Sequence, residues 1–74
     1  MTPGAEWLRR RALADERLRD LLQAVDRFRR SGRADLEEAA RMSVDALLGP
    51  VRRRPLYARS DVTEAAESAV EVVG

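Results

Sequence analysis

The sequence predicts an all-α fold: a long helix, a shorter antiparallel helix forming a helical hairpin with it, an Arg- and Pro-rich connector, and a weak third helix at the C-terminal end. Three observations carry this. Apolar residues between Trp7 and Phe28 recur at helical rather than alternating spacing. Residues suited to helix starts stand at Thr2-Pro3, Asp35 and Asp61. Gly32 and Gly49-Pro50 supply the stops between them.

The first helix is expected over about residues 3–30. Thr2 is placed to cap it, Pro3 suits its first position, and Gly32 suits a left-handed end. Trp7, Ala14, Leu21 and Phe28 are seven apart, and Arg11, Leu18 and Val25 form the companion position. This is a heptad-like seam broken only by Arg11. Asp15–Arg19 and Asp26–Arg30 are i,i+4 pairs with the acid first, the more favourable order.

The second helix is expected over about residues 35–48, with Asp35 and Glu38 as a capping box and Leu36, Ala40, Val44, Leu47 and Leu48 on its apolar side. A short link favours an antiparallel pairing with the first. Residues 49–60, GPVRRRPLYARS, read as a connector in which Pro50 and Pro55 favour extended backbone. A third helix over about residues 61–73 has Asp61 and Glu64 in capping-box spacing and a thin, Ala-dominated apolar face, so weak docking is expected.

Seventy-four residues make one domain, spanning 1–74. Twelve of its apolar residues are Ala, which bury little, so its core offsets chain entropy only narrowly. Such scaffolds usually add a disulfide, a metal or a partner chain. The chain has no Cys and no His, which leaves the partner chain. The same absence removes thiol nucleophiles, neutral-pH imidazole bases and soft-metal sites. No nucleophile elbow or phosphate loop is present. The expectation is therefore no enzyme, with no catalytic, cofactor-binding or metal residues. No apolar run approaches the ~20 residues of a membrane span, so a membrane partner is not expected and the cytoplasm is the default location. Every one of the 14 cations is Arg, a bias that, with the abundant Ala, suggests a high-GC bacterial genome.

Length sharpens the case for a partner. A helix over residues 3–30 would extend ~42 Å, and one over 35–48 only ~20 Å. The shorter cannot cover the whole seam, which leaves Trp7, Leu8 and Leu13 for the third helix or another chain. The leading expectation is a protein–protein interaction module: an accessory subunit, adaptor or self-assembling oligomer, using Trp7, Leu8, Leu18, Leu21 and Phe28 as partner-binding anchors.

The alternative is a small DNA- or RNA-binding regulator. Net charge is only +1, but residues 50–60 hold four arginines and no acid. Arg52, Arg53, Arg54 and Arg59 are its candidate phosphate contacts. The run Asp35-Leu36-Glu37-Glu38-Ala39-Ala40-Arg41, followed by Val51-Arg52-Arg53-Arg54, resembles the helix-turn-helix of MerR- and excisionase-type DNA-binding domains. Those begin with a similar L-E-E-A-A-R run and end in V-R-R, so the resemblance implies DNA binding. It departs after Leu48, where Gly49-Pro50 and Pro55 interrupt the position of a recognition helix.

Overall fold

The computed structural model describes residues 2–49 and 57–73. They form four helices and, among the described residues, no strand: α1 (Pro3–Ala14), α2 (Glu16–Arg30), α3 (Ala34–Leu48) and α4 (Arg59–Val73). The connector residues Pro50, Arg52, Arg53, Arg54, Pro55 and Leu56 lie outside the described residues.

The continuous helix expected over residues 3–30 is two helices. Asp15 is extended (φ −126°, ψ 103°) and its carboxylate accepts the N–H of Arg17 at 3.0 Å and of Leu18 at 3.3 Å. It caps α2 instead of pairing with Arg19. A short acidic side chain that satisfies free backbone donors competes with helix continuation, and here the competition wins. The longest extent of the molecule, 33 Å, is shorter than the ~42 Å rod that an unbroken helix would make. The break lets α1 pack on both α2 and α4.

Asp15→Ala is therefore expected to lower stability by ~1 kcal/mol in urea unfolding while leaving helical circular dichroism unchanged or higher. A variant more stable than the parent would show that the cap is not what sets the break.

α2 ends as the sequence suggests. Gly32 has φ 72°, its N–H bonds to Arg29 C=O at 3.2 Å, and Arg33 N–H bonds to Phe28 C=O at 3.0 Å. This is the paired 5→2 and 6→1 bonding of a Schellman cap. Residues 31–33 then return the chain into α3, which packs on α2. Arg17 and Leu21, early in α2, line a groove with Ser43 and Leu47, late in α3, so the two helices run in opposite senses. The capping box expected at Asp35 and Glu38 does not form. α3 starts at Ala34 with no side-chain cap; Asp35 bonds to Arg33 Nε at 3.4 Å, and Glu38 pairs with Arg59.

The third helix of the sequence reading is α4, which begins at Arg59, inside the expected connector. Asp61 is its third residue, and its carboxylate reaches back to Ala58 N–H at 2.7 Å. That is the returning half of a capping box, one turn earlier than expected. Nor is α4 peripheral. Val62, Ala65, Ala66 and Ala69 are all buried, and α4 packs on α1 and α2. The small side chains that promised weak docking let the helix axes approach closely.

The core joins Leu8 and Ala12 of α1, Leu18, Leu22 and Val25 of α2, Ala40 and Val44 of α3, and those α4 residues. Leu8, Leu18, Leu22, Val25 and Val44 have no exposed surface to speak of. Each contributes ~1.5–3 kcal/mol on burial.

Candidate interaction surface

Polar contacts hold the helices in register around this core. Thr2 caps α1 by accepting Ala5 N–H at 3.3 Å. Its hydroxyl also donates to Asp61 and lies 2.9 Å from Glu64 Oε2, while its own N–H reaches Glu64 Oε2 at 3.3 Å. The starts of α1 and α4 are thus tied together. Asp26, buried on α2, receives Arg29 Nη2 at 2.8 Å and Arg30 Nε at 2.9 Å; Arg29 also meets Glu67 of α4 at 3.3 Å. Arg41 of α3 donates to Thr63 of α4 at 2.6 Å.

The hydrogen bond from Thr2, and then that from the Ala58 amide, hold the Asp61 carboxyl below its ordinary value. A carboxylate with a depressed native pKa contributes stability that is fully present above its unfolded value and lost as pH falls through the native one. Parent and Asp61→Asn should therefore differ in melting temperature by a constant amount above about pH 5, and the gap should close below about pH 4. A gap independent of pH between 7 and 2 would refute this role for Asp61.

The anchors expected on one seam are separated. Leu8 and Leu18 are wholly enclosed by the chain's own helices, so they are core residues and offer nothing to a partner. Trp7 is half-buried. Its ring stacks on Tyr57 with centroids 5.8 Å apart and planes at 16°, and the Arg11 guanidinium lies 5.3 Å from its centroid. Tyr57 is fixed in turn by donating its hydroxyl to Asp45; burial and that bond push its pKa up, so the donor persists into alkaline solution. The seam left uncovered in the sequence reading is thus largely covered inside the chain, by α4 and the residues leading into it. The mismatch of helix lengths does not argue for a partner once α1 folds back. Leu13 stays 53% exposed. Phe28 is half-buried against the core.

Leu21 is different. It lies half-buried in an open groove of about 640 Å³ between α2 and α3, lined by Arg17, Asp20, Leu21, Ser43, Ala46 and Leu47. Beside it, Ala39, Met42, Ser43 and Ala46 recur at i, i+3, i+4 and i+7 along α3 and are all exposed, Met42 at 63%. Past Asp35 in its first turn, this outer stripe of α3 bears no charge, although 36% of the chain is charged. A solvated helix face normally carries its charges there. These α3 residues were missed as a surface, yet their spacing was readable: an uncharged stripe opposite Val44 is visible on a helical wheel.

Of the four candidate phosphate contacts, Arg52, Arg53 and Arg54 lie outside the described residues, and Arg59 is engaged by Glu38 of α3. α3 runs unbroken to Leu48, and the positions where the resemblance would place a turn and recognition helix, residues 50–56, lie outside the described residues. Among the described residues no helix is long and apolar enough to cross a membrane. Compared with family models, curated proteins and solved structures, the chain gives no significant match.

Proposed function

We propose that this chain is a cytoplasmic protein–protein interaction module, an accessory subunit, adaptor or self-assembling protein without chemistry of its own, and that its contact surface is the α2–α3 face rather than the N-terminal seam. The observation that carries this is the uncharged, exposed stripe of α3 bordering the Leu21–Leu47 groove. Leaving such a stripe in water gains nothing for the fold, whereas a helix laid in the groove would cover Leu21, Ala46 and Leu47 together. An apolar-floored groove between two helices is the receptor half of helix-in-groove docking. The nucleic-acid alternative has weaker support: the one described arginine of its set is neutralised by Glu38, and a net charge of +1 gives little long-range pull on a polyanion.

A photo-crosslinking amino acid placed at Ala46 should, in cells, capture a discrete protein adduct, while the same group at the exposed Arg10 of α1 should not. Equal yields at the two positions, or no protein adduct at Ala46, would overturn the reading.

A further inference from the structure

We infer that the occupant of the α2–α3 groove is a second copy of this chain, related to the first by a two-fold axis. This rests on the proposal that the groove is a partner surface, and it adds which partner. The groove's apolar floor of Leu21, Ala46 and Leu47 is flanked by one cation and one anion, Arg17 and Asp20. Both side chains are exposed, and among the described residues neither is within 4.0 Å of an oppositely charged group. They do not pair with each other; the cation precedes the acid along α2, the less favourable order for a helix pair.

A two-fold interface is self-complementary: if residue i meets residue j, then j meets i. A surface with one charge of each sign close together satisfies that condition. Antiparallel crossing at the first turns of the two α2 helices sets Arg17 of each copy against Asp20 of the other, closing two ion pairs around the paired Leu21 side chains. A surface built for a strongly basic or acidic partner would instead carry one sign. The net charge of +1 is too small to keep copies apart. The small side chains at Ala39, Ser43 and Ala46 let a neighbouring helix come close.

The test is a charge swap read by sedimentation equilibrium of the full chain. The parent should be a dimer at ~100 μM, and Arg17→Asp or Asp20→Arg should each raise the dissociation constant ~10-fold or more, because each change puts two like-charge contacts into one dimer. The double variant Arg17→Asp/Asp20→Arg restores opposite signs and should return to within about threefold of the parent. Circular dichroism melts check folding: both positions are exposed, and an acid in the first turn of α2 suits its dipole. A parent that is monomeric at all concentrations, or a dimer indifferent to the single changes, or a double variant that stays dissociated, would each overturn the second-copy proposal. The crosslinking outcome keeps this distinct from the broader reading. A heterologous adduct at Ala46 with a monomeric parent overturns the homodimer and leaves the interaction surface standing; no adduct, with a dimer indifferent to the swap, removes both.

Discussion

Leu8→Ala is expected to cost ~2–5 kcal/mol of folding stability, because the side chain is fully enclosed and the hole left behind collapses only partly. A 74-residue domain has ~4–11 kcal/mol in all, so the variant should lose a large share of its stability and melt at a markedly lower temperature. The mechanism makes a second, sharper statement. If Leu8 were a partner anchor, its loss would weaken association and leave the melting of the dilute protein almost untouched. As a core residue between α1 and α4 it should lower the melting temperature at every protein concentration. Leu18→Ala, equally enclosed on α2, should behave the same way. Melting curves at two concentrations a hundredfold apart decide the matter, and unchanged melting of both variants would remove these leucines from the core.

Ala65→Leu should also be damaging, by the opposite mechanism. Ala65 has no exposed surface and sits where α4 packs on its neighbours. Three extra carbons have nowhere to go unless α4 moves. Overpacking of this kind costs ~1–3 kcal/mol and occasionally more. It should also loosen the contact that orients Tyr57 against Trp7, which shows as a red shift in the fluorescence of the single Trp. The same substitution at Ala14, exposed at the end of α1, should stay within about 0.5 kcal/mol of the parent. Equal effects at the two alanines would mean that α4 is not closely packed.

The contrast between those alanines shows how far the sequence could be read. The helical character, the stop at Gly32 and the end at Gly49 rest on local chemistry, and local chemistry is printed in the chain. The break at Asp15 is local too, but it was hidden by a stronger pattern. A residue that pairs well with Arg19 in a continuous helix also caps a new one, and only tertiary packing chooses between them. α4 was undervalued for a related reason. Ala contributes little buried area, so a tally of large side chains scores it low, whereas close helix approach depends on that smallness. The expected anchors are separated as a consequence. Once α1 folds back, Leu8 and Leu18 become interior and Trp7 is half-covered by Arg11, one turn along its own helix, and by Tyr57, whose hydrophobic ring folds back from the connector. Leu21, half-buried, keeps an open groove before it. The exposed stripe of α3 is legible as a missing charge rather than as a present motif, because Ala39, Ser43 and Ala46 are small and carry no anchor spacing.

The central claim is that the N-terminal apolar residues are satisfied within one chain, and it can be tested directly by nuclear Overhauser spectroscopy on an equimolar mixture of isotope-labelled and unlabelled protein. Ring protons of Trp7 and Tyr57, whose centroids are 5.8 Å apart, should give strong cross-peaks within a single molecule and none in the filtered spectrum that reports contacts between molecules. Cross-peaks between Trp7 and Tyr57 seen only between molecules, together with unbroken sequential amide contacts through Ala14, Asp15 and Glu16, would contradict the account and restore a continuous first helix whose seam is closed by another chain.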